Sequence, residues 1–578
     1  MPTLIEPSGE GEAFQTALIA RLANEIFFED HRRAPAPVPA APVEPIPTTA
    51  PAFPDTEAAP TGAVSDPRHS DPQVLTPRVG PEARATRAPP VSRAPAPAAA
   101  PSAPVPALPF GEPEVPGILS LTRRPAPAGP VPGAPAEFYF LAAEPRVAAP
   151  ETVQPRLEPV HVDPFSAPRP PGPLGAFDVQ AIRRDFPALH QTVNGHPLIW
   201  LDNAATTHKP QSVIDITSEF YARHNSNIHR AAHTLAERST DLFEGARDKL
   251  RDFIGAASSK EIVFLRGTTE AINLVAESYG SLHVGEGDEI LITHIEHHAN
   301  IVPWQLLSRR TGAVLRVAPV NDRGELILEE FARLLNHRTR IVSVTHVANA
   351  LGTINPVAEI IQLAHAIGVP VLVDAAQSSP HIPLDVRALD ADFLVLSGHK
   401  IFGPTGIGIL YGKAELLDSL PPWQGGGHMI HDVTFARTEF NHIPEKFEAG
   451  TPDIAGAVGL GAAVDYLTRV GLPAIAAHEH ALLDYATEAL ASVKGLRIIG
   501  TARQKASVLS FVVNGLEPEA VSRHLDRQGI ATRSGHHCAQ PALRRFGLEK
   551  TVRASLALYN TREDVDALVR ALHLLPKG

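Results

Sequence analysis

Two residues in this chain pair catalytic chemistry with the position a buried sheet would give them. Lys400 closes Ser397-Gly-His-Lys400 after the apolar run Phe393-Leu-Val-Leu396, and Asp374 opens Asp374-Ala-Ala-Gln377 after Val369-Pro-Val-Leu-Val373. An ammonium at the end of an apolar strand is costly to desolvate. Its pKa falls, which makes it a candidate Schiff-base amine. A buried carboxylate on a neighbouring strand suits a protonated pyridine nitrogen. The plain alternative is a strand-end Lys–Asp ion pair, and for either residue alone that alternative is preferred.

Other segments change the balance. Arg266-Gly-Thr-Thr-Glu270 follows Ile262-Val-Phe-Leu265 and opens a helical stretch from Ala271 to Tyr279. Strand, Gly/Thr turn and helix N-terminus together make an anion cup, although Thr-Thr-Glu is also a good helix cap. Glu296-His-His-Ala-Asn300 follows the run starting at Glu289. His297 or His298 could stack on an aromatic ring, bind metal, or be a loop histidine satisfied by hydrogen bonds. Arg533-Ser-Gly-His-His-Cys-Ala539 holds the only cysteine, Cys538, in a basic, glycine-containing loop. Positive neighbours favour the reactive thiolate; inert packing is the plain reading of a lone cysteine. A zinc cluster of His297 or His298 with His294, His536, His537 and Cys538 is the minority reading, because no Cys-x-x-Cys pair exists and one thiolate is available. The expectation is therefore no resident metal. Arg553, inside Val552-Arg-Ala-Ser-Leu556, needs an anionic partner, either a substrate carboxylate held bidentately or a structural glutamate.

The elements that must position these groups begin near Phe177. Apolar runs such as Ile262–Leu265, Glu289–Thr293, Ile341–Thr345 and those preceding Asp374 and Ser397 are separated by helix-length stretches. Continuous hydrophobicity marks strands buried on both faces, hence an α/β fold with a mostly parallel sheet. Ligands then sit beyond the carboxyl ends of the strands. Before Phe177 the text differs: 39 of the 57 prolines fall in residues 1–175, so that arm cannot hold a continuous sheet or helix set. One short amphipathic helix is predicted between Ser8 and Asp30, with Phe14, Leu18, Leu22 and Ile26 at four-residue spacing. Beyond it a Pro/Ala-rich spacer carries small apolar islands, Val115–Leu121 and Glu137–Leu141, which suit multivalent docking or are incidental linker residues.

A formal net charge of −12 and a pI near 6.1 argue against a nucleic-acid partner. No run of 18 apolar residues occurs, and acidic Glu6, Glu10 and Glu12 stand where a targeting segment would be basic, so membrane spanning and export are not expected. A single cysteine fits a reducing compartment, and a cytoplasmic location is expected.

Taken together, the residues from about Phe177 onward resemble the class II (SufS-type) cysteine desulfurases, pyridoxal-phosphate enzymes of aminotransferase fold type I. The motifs are Leu201-Asp-Asn-Ala-Ala205, Asn227-Ile-His-Arg230, Arg266–Glu270, Glu296–Trp304, Asn349–Thr353, Asp374–Gln377, Ser397–Lys400, Gly425–Ile430, Phe447–Thr451, Arg533–Ala539 and Arg553–Asn560. The short Arg-x-Gly-His-His-Cys-Ala loop is similar to class II rather than class I. His428 departs from the pattern, which usually has glutamate there.

The resemblance implies Lys400 as the cofactor-bearing amine, Asp374 at the pyridine nitrogen, Gln377 near the ring hydroxyl and His297 stacked on the ring. Thr268, Thr269, Ser397 and His399 would hold the phosphate, joined by Thr451 across a homodimer interface. Asn349, Arg553 and Arg533 would bind the substrate L-cysteine, and Cys538 would accept its sulfur and pass it to a SufE- or SufU-like acceptor. The implied organisation is an N-terminal segment 176–210, a cofactor-binding domain 211–460 and a small C-terminal domain 461–578. The arm resembles cargo-loading segments of cysteine desulfurases packaged in encapsulin shells. Rival readings are a selenocysteine lyase or related fold type I lyase, and an inactive scaffold whose arm docks to a shell.

Overall fold

The computed structural model describes residues 177–229 and 232–576. The arm, its expected helix and Arg230 lie outside the described residues.

A seven-stranded sheet forms the centre of the larger lobe. In chain order its strands are β1 (Ile262–Leu265), β2 (Glu289–Thr293), β3 (Val314–Ala318), β4 (Thr339–Thr345), β5 (Val371–Asp374), β6 (Phe393–Ser397) and β7 (Gly408–Gly412). Across the sheet they run β1-β7-β6-β5-β4-β2-β3, with β7 antiparallel to both neighbours and every other pairing parallel. The α/β expectation holds. Every residue of β1, β2, β5, β6 and β7 is buried, the continuous hydrophobicity that two covered faces require. β4 exposes only Arg340, and β3 is an edge strand with Val314 and Val317 exposed.

Helices cover both faces. α1 (Thr234–Phe253) carries Phe243, Ala246 and Leu250 inward on one stripe. α2 (Thr268–His283) starts three residues earlier than the sequence predicts, at Thr268 itself, with Gly267 as its N-cap. Gly267 sits at φ 144°, and a Cβ there would meet Ser397 Oγ at 3.0 Å, so the strand-to-helix turn closes tightly only with glycine. α3 (Val302–Thr311) follows β2. α4 (Ile454–Val470) packs on α1 and gives Val464 and Leu467 to the large-lobe core, so residue 460 falls inside a helix.

The C-terminal lobe is an antiparallel four-stranded sheet, β8 (Leu496–Ile499), β9 (Val508–Val513), β10 (Arg533–Gly535) and β11 (Thr551–Ser555), in the order β8-β9-β11-β10. Helices α5 (Leu472–Ala491), α6 (Pro518–Asp526) and α7 (Arg562–His573) bury Leu482, Leu483, Leu525 and Leu568 against Phe511 and Val552 in a separate core. The segment before the large lobe ties in here: Ile199 and Trp200 pair in parallel with Ile530 and Ala531, and Arg183 meets Asp564 at 3.0 Å. No helix of the described residues is long and apolar enough to cross a membrane.

Candidate active site

The carboxyl ends of β1, β2, β4, β5 and β6 open on one cavity with about 700 Å³ of non-atom space, part of it open to solvent. Its wall includes Thr268, Thr269, His297, Asn349, Asp374, Gln377, Ser397, His399 and Lys400 from the large lobe, with Arg533, Cys538 and Arg553 from the small one. Of the residues singled out in the sequence, Thr451 does not line this chain's own cavity; it is exposed just before α4.

Lys400 stands on a 3-10 turn at the end of β6, and Asp374 is the last residue of the adjacent β5. Burial pushes the Lys400 amine down to about 8, against the upward pull of Asp374. Burial raises the Asp374 carboxyl, offset in part by the Ala376 N–H, which donates to its Oδ1 at 2.9 Å, and by Lys400. The two charges influence each other, but no ion pair between them forms. That leaves the amine available to a carbonyl and the carboxylate to a ring nitrogen.

The anion cup is built at the β1–α2 turn. The Thr268 N–H donates to Ser397 Oγ at 3.0 Å, and that hydroxyl donates to Thr268 Oγ1 at 2.9 Å. Further N–H groups of the first helical turn have no intrahelical acceptor and are directed at whatever fills the cup. Glu448 secures the cup from behind. It accepts from the Phe264 N–H at 2.7 Å and holds the fully buried Arg247 with contacts of 2.6 and 3.0 Å.

On the cavity wall His297 and His298 take different roles. His297 faces the cavity, and its ring is kept neutral, with a pKa of about 3, first by burial and then by Lys400. Below it Glu296 is wholly buried, accepting from Thr293, Asn300 and the Thr345 N–H at 2.6, 2.7 and 3.0 Å, and burial raises it to about 8. His298 turns the other way, to the cysteine loop: its N–H donates to the Cys538 carbonyl at 2.7 Å, and its Nε2 accepts from the Gln540 N–H at 3.2 Å. Gln377 donates to the Ala204 carbonyl at 2.7 Å, and His399 meets Thr206 Oγ1 at 3.2 Å.

Arg553 is 1% exposed on β11. Its structural partner is Asp202, not a glutamate: Nη2 donates to Asp202 Oδ1 at 2.9 Å and Nη1 to the Asn349 carbonyl at 3.2 Å. Nε is buried without a partner, as is Asn349 Oδ1. Asn349 Nδ2 donates to the His537 carbonyl at 2.6 Å, so the atom Asn349 offers the cavity is an acceptor. An acceptor suits an amine; to bind a carboxylate the amide must turn over and give up His537. Unsatisfied buried polar atoms are costly, and these two fit a small zwitterion. Asp202 lies in a motif read in the sequence, but its pairing with Arg553 spans 351 positions, and no local spacing signals it.

Among the described residues, the one histidine and cysteine grouping able to hold a metal is His298, His536 and Cys538, and His294 is not in it. The His294 backbone N–H continues the β2 ladder to the Ala318 carbonyl at 3.0 Å. His428 lies outside the cavity wall, its ring 5.1 Å from that of His229.

The aminotransferase class-V family model matches residues 199–568. A probable cysteine desulfurase of Mycolicibacterium paratuberculosis is 53% identical over 94% of this chain and 76% of its own length. A cysteine desulfurase of Synechococcus elongatus is 56% identical over 80% of this chain and 75% of its own. Among solved structures, the cysteine desulfurase CsdA of Escherichia coli, in an S-sulfonic acid form, is similar with a TM-score of 0.64 and 40% identity, covering 69% of this chain and 98% of that one.

Proposed function

The chain belongs to the aminotransferase class-V family and is a cysteine desulfurase of PLP-dependent fold type I, and from that premise we propose how its residues divide the work on L-cysteine. The observation that carries the proposal is a single cavity bordered by a desolvated lysine, a buried strand-end aspartate and the chain's only thiol. The cavity fits pyridoxal phosphate by its donor set. The cup of Thr268, Thr269, Ser397 and His399 would take the phosphate, Asp374 the ring nitrogen and Gln377 the ring hydroxyl, and His297 would face the ring from the cavity wall. When bound, the cofactor supplies an electron sink for the pair left at Cα after deprotonation.

Lys400 would carry the cofactor, and its free amine would act as base at Cα. Its pKa of about 8 leaves an appreciable neutral fraction near neutral pH. Arg553 orients the substrate carboxylate, with Arg533 at the mouth, and Asn349 Oδ1 accepts from the substrate amine. The Cys538 thiolate attacks the substrate sulfur. The S–S bond forms as the Cβ–S bond breaks, and a proton delivered to the carbon fragment completes alanine. The net change is L-cysteine plus Cys538 thiol to L-alanine plus Cys538 persulfide.

In the Lys400→Ala variant the cofactor's bound chromophore and alanine release should both be lost. Retention of either would place the amine elsewhere. The His297 and Cys538 assignments are supported by their shared cavity. A homodimer would bring Thr451 to the partner's phosphate site, a reading supported by its exposure and its absence from its own cavity wall; light scattering of the purified enzyme checks it. Residues 1–175 as a loading segment for an encapsulin shell rest on composition alone. Co-expression of shell with full-length and arm-deleted enzyme decides it, equal loading counting against the arm. A SufE- or SufU-like acceptor would take the persulfide sulfur in the cytoplasm.

A further inference from the structure

His298 and His536 have no part in the chemistry above, yet both belong to the surroundings of Cys538. Each of the three side chains offers a ligating atom within 4.8 Å of the other two. Backbone bonds fix the arrangement. His298 N–H donates to the Cys538 carbonyl at 2.7 Å, and Cys538 N–H donates to His536 Nδ1 at 3.0 Å. The two imidazole rings lie 5.6 Å apart and 31° from parallel. His537 and Cys538, at φ 53° and 55°, form the left-handed turn that swings the thiol round toward the rings.

We propose that His298, His536 and Cys538 form a binding site for Zn²⁺ or a cation of like softness, whose occupancy silences the enzyme by holding its nucleophilic sulfur. Two imidazoles and a thiolate are the donor set zinc prefers, with a fourth tetrahedral position open to water. Zinc–nitrogen and zinc–sulfur bonds put ligand atoms about 3.3 to 3.6 Å apart, so the trio need close by no more than about 1.5 Å. His536 is exposed, and His298 and Cys538 are half-buried, so the side chains have room to turn as each ring gives up the N–H its lone pair accepts, that of Gln540 at His298 and that of Cys538 at His536. Binding exchanges the thiol proton for the metal and changes no oxidation state. A zinc-held thiolate cannot attack the substrate sulfur, so the site is a brake, not a cofactor centre.

The site rests on geometry; its effect on turnover rests on Cys538 being the sulfur acceptor. Both are tested on tag-free, full-chain holoenzyme. Because Cys538 is the only cysteine, iodoacetamide adds one adduct, and intact mass follows its rate with and without ZnCl₂. Zinc should slow labelling at least about tenfold in the wild type and in the exposed control His480→Gln on α5, and EDTA should restore the rate. His298→Gln and His536→Gln should each reduce the protection to less than about twofold, judged against the same variant without zinc. Absence of protection in the wild type, or protection undiminished in both variants, would overturn the site. Protection with alanine release unaffected would leave the site standing and remove Cys538 from the reaction.

Discussion

Replacing Arg553 by lysine tests how the substrate is held. The guanidinium is fully buried, with two nitrogens committed to Asp202 and the Asn349 carbonyl and Nε left without a partner at the cavity. A carboxylate in the cavity completes that donor set. Lysine keeps the charge but cannot satisfy Asp202 and the substrate together from a planar fork. One charge-assisted hydrogen bond is then lost, worth about 2 kcal/mol, or roughly 30-fold in binding. The assay is alanine release against L-cysteine concentration, with added L-alanine as competitive inhibitor. KM for L-cysteine and Ki for L-alanine should rise together by about 30-fold, since both carry the carboxylate, while kcat falls less than about threefold. An unchanged KM alongside a collapsed kcat would refute the reasoning and make Arg553 a structural partner of Asp202 alone.

Reconstitution of apoenzyme with pyridoxal phosphate should quicken about tenfold per pH unit and level off near pH 8, where Lys400 loses its proton; a rate still climbing past about pH 10 would mean an ordinary lysine. Glu448→Gln removes the charge paired with buried Arg247 and should cost about 3 kcal/mol in chemical denaturation, with cofactor loss preceding unfolding because Glu448 also holds Phe264 at the phosphate cup. Glu296 has its folded pKa raised to about 8 by burial, so its contribution to stability is full below its ordinary value of 4.5 and is lost as pH rises through about 8. Glu296→Gln should therefore flatten the melting temperature between those limits, and an unchanged slope would count against a buried protonated acid. Gly267→Ala should weaken cofactor binding at least about tenfold through its strained φ and its approach to Ser397, read by dialysis of the chromophore.

Much of this site was legible because unbroken apolar strands announce themselves and end in the residues that do the chemistry. Lys400, Asp374 and the cup at Thr268 were found that way. β7 was missed: two glycines in Gly408–Gly412 dilute the strand signal, and its antiparallel course breaks the alternation of strand and helix. The ambiguity between His297 and His298 could not be resolved from adjacent letters, since the 3-10 turn after β2 alone decides which ring faces the cavity. Asp202 as partner of Arg553 and His298 as neighbour of Cys538 depend on the two lobes closing over each other, at separations no periodicity records. Of the histidines the zinc reading offers, only His298 and His536 come together with Cys538, a grouping across the two lobes that no local spacing signals.

The account stands or falls on Cys538 receiving the sulfur of L-cysteine within reach of Lys400. The most direct measurement is alanine and enzyme-bound sulfur in one turnover of wild type and Cys538→Ala, each carrying its full complement of cofactor. Wild type should yield one alanine and one protein persulfide per chain, while Cys538→Ala should bind L-cysteine, keep its cofactor spectrum and release no alanine. Alanine formed at the wild-type rate by the variant would contradict it.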